Sequence, residues 1–224
     1  MDVVASRLPS SELIAGWMRA AVPQLDRTQQ QVALTLTRLL TTGEPVLPGR
    51  VSAELALTQA AVDAAIADLR TVSCDDSGRV TSACGLTLSK TDHQIRWMDA
   101  PATQLYTWCA WDPFLLADLV GGPLASMSIC PVTKERITVR LDAGGSWRAK
   151  PPTTVLSFSL ADLSRVGSIG EAFCPLLRFL ASSAVGADWT ARHDNVILLS
   201  IEDAAELARA VNRMCFAAVL GPNG

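Results

Sequence analysis

Over the first third of the chain, apolar residues recur at helical spacing. In Ser11-Glu-Leu-Ile-Ala-Gly-Trp-Met18, Leu13, Ile14 and Trp17 fall on one face, Ser10 or Ser11 is placed to cap the start, and Pro23 ends the run. A second stripe, Val32, Leu36, Leu39 and Leu40, follows Thr28 as candidate cap and stops at Gly43 and Pro45. Residues 51–69 predict a short helix, a turn near Leu57-Thr58, and a second helix with Val62, Ile66 and Leu69 inward. Asp75-Asp-Ser-Gly-Arg79 is then a tight turn between short extended pieces. This order predicts a winged helix-turn-helix module.

Further on, the pattern changes to mixed periods. Residues 85–89, 94–98, 124–129, 136–141, 153–158 and 195–200 predict strands, several with the two-residue alternation of a sheet that has one wet face. Helices are expected over 109–119, 173–181 and 202–216, and loops over 142–146 and 150–153. The fold class is therefore α+β: an amino-terminal winged-helix-like helical domain, residues 1–80, followed by a mixed sheet and helix domain, residues 81–224, with the change falling around 71–85.

Composition narrows the function classes. The chain has 224 residues, 49% of them hydrophobic and 18% charged, which excludes wholesale disorder. A net charge of -3 leaves no footprint for nucleic acid or an anionic membrane. The helix that would read DNA offers Gln59, Asp63 and Asp68, with Arg70 only at its end, and two carboxylates repel phosphates. The start, Met1-Asp-Val-Val-Ala-Ser-Arg-Leu-Pro9, lacks the positive and apolar regions of a secretion signal, and no run is long enough to span a bilayer. A cytoplasmic location, with reduced thiols, is the expectation. Six cysteines include no CxxC pair, and His93 and His193 are the only imidazoles, so neither a disulfide framework nor a structural zinc site is expected.

Three cysteines stand out by context: Cys109 in Tyr106-Thr-Trp-Cys-Ala-Trp-Asp112, Cys130 in Ser128-Ile-Cys-Pro-Val-Thr133, and Cys174 in Glu171-Ala-Phe-Cys-Pro-Leu176. Cys109 and Asp112 are three apart, and Pro113 and Pro175 both suit the first turn of a helix, where exposed amides favour a thiolate. If Cys109 and Cys174 meet beside Asp112, the site unites two soft sulfur ligands with one proton carrier. Burial among Trp108, Trp111, Phe114 and Phe173 would lift the Asp112 pKa and receive an organic substituent.

Plainer readings stand beside these. A single buried cysteine is commonly a small hydrophobe; Cys130 ends an apolar strand, and Cys215 reads as packing in the last helix. Cys74 and Cys84 flank a turn and either pair across a hairpin or do nothing. Trp17, Trp97, Trp147 and Trp189 read as core or loop anchors, and His93 and His193 as non-catalytic. Tyr106 leads into the Cys109 segment and borders the pocket in one reading. Arg178, four after Cys174, either assists its ionisation or lies on the surface.

With these residues in view, the chain resembles the organomercurial, or alkylmercury, lyases. The resemblance rests on Gly85-Leu-Thr-Leu, Leu105-Tyr-Thr-Trp-Cys-Ala-Trp-Asp112, Ser128-Ile-Cys-Pro-Val-Thr133, Phe173-Cys-Pro-Leu-Leu-Arg-Phe-Leu-Ala-Ser182 and Asp188-Trp-Thr-Ala-Arg-His193, in that order, with Tyr-x-Trp-Cys-Ala-x-Asp the specific element. It implies cleavage of carbon–mercury bonds by protonolysis. Cys109 and Cys174 would be the catalytic thiols and Asp112 the proton shuttle, the three together meeting mercury transiently. Cys130 would support the site's structure, with Tyr106, Trp108 and Trp111 around the pocket. It further implies no bound cofactor, turnover with low-molecular-weight thiols, and product passed to mercuric reductase. Pro175 stands where some relatives have a second cysteine, and Trp111 where a smaller aliphatic residue is common; Trp111 would narrow the pocket and bear on substrate range. The rival readings are a cysteine-based metal-responsive DNA-binding regulator and a lyase-fold homologue without efficient turnover.

Overall fold

The structure is a computed structural model that describes residues 16–18, 20, 22–100, 103–160 and 173–220. The expected caps Ser10 and Ser11, with Leu13 and Ile14, lie outside the described residues.

Helix α1 (Arg27–Leu40) is capped by Asp26, two residues before the expected cap Thr28. The Asp26 side chain accepts from the Gln29 N–H at 2.8 Å while the Gln29 Oε1 accepts from the Asp26 N–H at 2.9 Å, a reciprocal capping pair. Its stripe Val32, Leu36 and Leu40 is fully buried. Helices α2 (Pro48–Leu55) and α3 (Gln59–Asp68) form the expected helix-turn-helix; the turn passes through Ala56 in the left-handed region, and the Thr58 hydroxyl caps α3.

Strands β1 (Val72–Cys74) and β2 (Val80–Ala83) make the hairpin after α3. They continue into an antiparallel sheet with β3 (Leu86–Thr87), β4 (His93–Trp97), β5 (Leu105–Thr107), β6 (Leu124–Ile129), β7 (Arg136–Leu141) and β8 (Trp147–Lys150), in the order β1-β2-β3-β5-β4-β6-β7-β8. The sheet thus runs through position 80 without a break. Helix α4 (Asp112–Val120) leaves from the end of β5 and packs between α1 and the carboxy-terminal helix α6 (Ile201–Cys215). A second, three-stranded sheet, ordered β10-β9-β11, holds β9 (Val155–Ser159), β10 (Phe179–Leu180) and β11 (Val196–Leu199), with helix α5 (Ser183–Thr190) against it. An amino-terminal helical region followed by a mixed sheet and helix region is the α+β arrangement expected.

Two expectations are corrected. Residues 173–181 are not one helix: Cys174–Leu176 is a single 3-10 turn, after which Phe179–Leu180 is a strand. Pro175 supports a helical start, but Phe179 and Leu180 are both buried as β10 against β9, and the Ser157 N–H donates to the Arg178 carbonyl at 2.9 Å. Pairing with β9 outweighs local helical preference. The helix expected from residue 109 begins only at Asp112, and β5, β8 and α5 are elements whose short or weakly alternating runs carried no signal.

Candidate active site

Strand β5 ends at Thr107, and the chain bends through Trp108–Trp111 before α4. Three hydrogen bonds hold that bend. The Thr107 hydroxyl donates to the Cys109 carbonyl at 2.9 Å, the Trp108 N–H donates to the Gly85 carbonyl at 2.9 Å, and the Ala110 N–H donates to the Leu177 carbonyl at 3.2 Å. The last bond matters most for the site, because the Leu177 N–H itself closes the turn on the Cys174 carbonyl at 3.1 Å. The two cysteine-bearing segments are thereby clamped backbone to backbone.

Within the clamp, Cys109, Asp112 and Cys174 come together as the sequence predicted. The three are buried, at 1%, 6% and 5% exposure. Asp112 Oδ2 accepts the Cys109 N–H at 2.7 Å, and the Cys109 thiol hydrogen-bonds to the same carboxyl. Cys109 is also hydrogen-bonded side chain to side chain with Cys174. Burial raises the Asp112 pKa to about 7, outweighing hydrogen bonds from the Cys109 backbone and thiol and the Trp108 backbone. Burial also pushes Cys109 well above the ordinary thiol value, helped by its bond to Cys174 and the neighbouring Asp112 charge.

That corrects the expectation that helix starts would favour thiolates here. Cys109 precedes α4 by three residues; its own N–H serves Asp112, and burial outweighs the Trp111 backbone hydrogen bond that does reach its sulfur. The resting site holds protonated Cys109 next to an acid poised near neutrality.

A cavity of about 200 Å³ opens onto this group. Its walls include Trp108, Trp111, Asp112, Phe173 and Cys174, together with Trp17, Leu69 and Arg70 from the amino-terminal part. Trp111 narrows nothing at random: its indole N–H donates to the Ala204 carbonyl at 3.0 Å, and its ring meets Phe158 edge to face at 5.0 Å. Phe114 lies elsewhere, tilted against Trp147 at 4.5 Å. Tyr106 is on β5 with its hydroxyl accepting from Gln104 at 3.2 Å, and neither it nor Cys130 is among the residues lining the cavity.

Cys130 is fully buried where β6 turns toward β7. Desolvation pushes its thiol up, yet hydrogen bonds from the Thr133 hydroxyl and backbone, and from the backbone of Ala181 and Val132, leave it below its ordinary value. It ties the β6–β7 turn to the segment carrying Cys174. Cys74 and Cys84 do not pair; all six cysteines are free, and Cys74 lies opposite Val80.

Arg178 does not reach the Cys174 sulfur. Its Nε donates to the Pro175 carbonyl at 3.0 Å and its Nη1 to Asp92 Oδ2 at 3.0 Å, so it pins the turn from behind. The same Nη1 lies 3.1 Å from His93 Nε2. An arginine only donates, so Nε2 accepts and the Nδ1 proton goes to Ser128 Oγ at 2.8 Å. Burial and then the Arg178 charge lower the His93 pKa to about 4, keeping it neutral.

Sequence reasoning missed Gly85. It is the second residue of the two-residue turn between β2 and β3, at φ +84, and a Cβ there would stand 2.5 Å from Asp112 Oδ1 and 2.8 Å from its Cβ. The available signal was the sequence Cys-Gly between two extended runs, which marks such a turn. Among the described residues, no three or more Cys, His, Asp or Glu side chains form a metal cage. Likewise, no helix among them is long and apolar enough to cross a membrane.

Comparison with known proteins identifies the family. Residues 86–213 match the family described as alkylmercury lyase. Alkylmercury lyases of Bacillus cereus and Staphylococcus epidermidis are 32% and 30% identical over 174 residues, covering 78% of this chain and 77% and 78% of theirs. That of Pseudomonas putida is 28% identical over 178 residues, covering 80% of this chain and 81% of its own. A solved structure, the mercury-bound form of MerB2, superposes with a TM-score of 0.75 at 16% identity, over 91% of this chain and 99% of that one. The clamped cysteine segments lie in a chain that belongs to the alkylmercury lyase family, a family of enzymes.

Proposed function

We propose that this chain cleaves carbon–mercury bonds by protonolysis, releasing a hydrocarbon and a mercuric ion. The observation that carries the reading is the Asp112 carboxyl, buried, raised to about 7, and bonded to a Cys109 thiol that in turn bonds to Cys174. Soft sulfur binds a polarisable metal where carboxylate or imidazole would bind it weakly.

The organomercurial arrives as R–Hg–SR′. One of Cys109 and Cys174 forms a sulfur–mercury bond while the SR′ bond breaks, and its proton leaves on R′SH. The second thiol then binds mercury and passes its proton to Asp112. With two thiolates donating electron density, the carbon–mercury bond weakens, and the Asp112 proton is delivered to carbon. The sum is R–Hg–SR′ plus two thiols giving RH, R′SH and a mercuric dithiolate, with no change in oxidation state. An acid near pKa 7 is suited to both halves of the shuttle at neutral pH.

The aromatic cavity would receive the organic group, and its amino-terminal wall suggests that residues 1–80 serve as a cover rather than a DNA reader. Consistent with that, Gln59 on α3 bonds to Asp63 at 2.7 Å, leaving carboxylates on that helix. Low-molecular-weight thiols, or a mercuric reductase, would remove the ion. Headspace detection of methane from methylmercury with excess thiol tests the reading; absence of methane from folded protein would overturn it.

A further inference from the structure

The cavity holds two thiols that this reaction does not use. Cys84 and Cys215 line it alongside Cys174 and Asp112. Both are free, and they come from distant parts of the chain: Cys84 from the β2–β3 turn, Cys215 from the last turn of α6. Each feels its neighbour's charge. Burial raises both thiols, and nearby charge adds to it: Cys84 on Cys215, and Asp112 on Cys84.

Cys84 packs against the core, but its backbone is one that local preference does not select. It is the first residue of a two-residue turn, at φ 49, where Asn, Asp or Gly is the locally favoured choice. An ordinary side chain is strained in that left-handed region. The Thr37 and Thr71 side chains hydrogen-bond to its sulfur, which holds the thiol in place. Cys84 is also half-buried, whereas Cys109, Cys174 and Cys215 are 1%, 5% and 6% exposed. The cavity wall that carries Cys174 and Asp112 therefore carries two further sulfurs.

We propose that Cys84 and Cys215 form a second soft-metal site, which takes the mercuric ion from Cys109 and Cys174 and presents it to thiols outside. The origin of the ion rests on the lyase reading above; the binding does not. The transfer is a ligand exchange. Cys84 and Cys215 each form a sulfur–mercury bond as the bonds from Cys109 and Cys174 break, and the two protons cross to the sulfurs left behind, with Asp112 between them as carrier. Nothing is oxidised or reduced, and the starting thiols are restored for another cycle.

The test titrates mercuric chloride into the full chain in the presence of a competing monothiol, 2-mercaptoethanol, and measures mercury retained after desalting. Wild type should retain two ions per chain, and Cys84→Ala and Cys215→Ala one each. Cys109→Ser/Cys174→Ser should also retain one, and lose it when Cys84→Ala is added. Circular dichroism melts check that each variant folds, and the wild-type stoichiometry carries the test should the double variant not fold. Saturation of wild type at a single ion, or a second ion that survives both single substitutions, overturns the proposal. Because the probe is the inorganic ion, a chain that retains two ions but releases no methane would sink the lyase reading and leave this site standing.

Discussion

Gly85 lies directly against the carboxyl of Asp112, with no room for a Cβ between them. The acid is therefore positioned from two sides: by the Cys109 N–H within its own segment and by the β2–β3 turn across from it. Gly85→Ala adds an atom 2.5 Å from Asp112 Oδ1 and strains a backbone at φ +84. A loss of about 1–3 kcal/mol in stability is expected, with turnover reduced at least tenfold because Asp112 must move. Thermal melting and methane release check it; wild-type values of both would show that the contact does not position the acid.

How far was this legible from residue order alone? The Tyr-x-Trp-Cys-Ala-x-Asp element singled out Cys109 and Asp112, expected on one helical face where the structure has a bend, and Cys174 stood out by its Phe-Cys-Pro context, so the three residues were readable though their setting was not. The clamp between them was not, because it is a backbone bond from Ala110 to Leu177 that no side chain announces. The Cys174 segment was misread as a helix since Pro175 and the apolar run after it fit one locally, and only β9 alongside makes Phe179–Leu180 a strand. Thiol ionisation was misjudged for a related reason: proximity to a helix start is visible in sequence, while burial beside a carboxylate is not.

Stability against pH follows from two buried groups that oppose each other. Asp112 goes from 3.8 unfolded to about 7 folded, so its contribution is full below the lower value and lost as pH rises through the upper. His93 goes from 6.5 to about 4, so its contribution is present above 6.5 and lost as pH falls toward 4. Each slope is at most about 1.4 kcal/mol per pH unit, and the two offset each other between roughly pH 4 and 6.5. Asp112→Asn leaves His93 alone, so stability of that variant should rise with pH across the window while wild type stays nearly level. Urea midpoints at both ends of the window measure it; a level profile in Asp112→Asn contradicts the assignment.

Cys130→Ala should act on stability. It removes a fully buried sulfur and the hydrogen bonds joining it to Thr133 and Ala181, a loss of about 1–2 kcal/mol. Turnover per folded molecule should stay within a fewfold of wild type. An unchanged melting temperature with complete loss of turnover would instead place Cys130 in the chemistry.

Arg178→Met should loosen the Cys174 turn by removing the bonds to the Pro175 carbonyl and Asp92. With its charge gone, His93 loses one of the two influences that hold its pKa down, so its imidazole should titrate at higher pH. Proton NMR of the His93 ring reads that shift, and an unmoved titration would show that the guanidinium does not act on it.

The central claim is that two thiol protons, one passed through Asp112, account for the products. Single-turnover cleavage of methylmercury in D₂O, with the protein pre-exchanged and methane analysed by mass spectrometry, tests it most directly. Monodeuterated methane from wild type, with none from Cys109→Ala, Cys174→Ala or Asp112→Ala that remain folded, is the expected result. Undiminished methane from any of those three variants would contradict it.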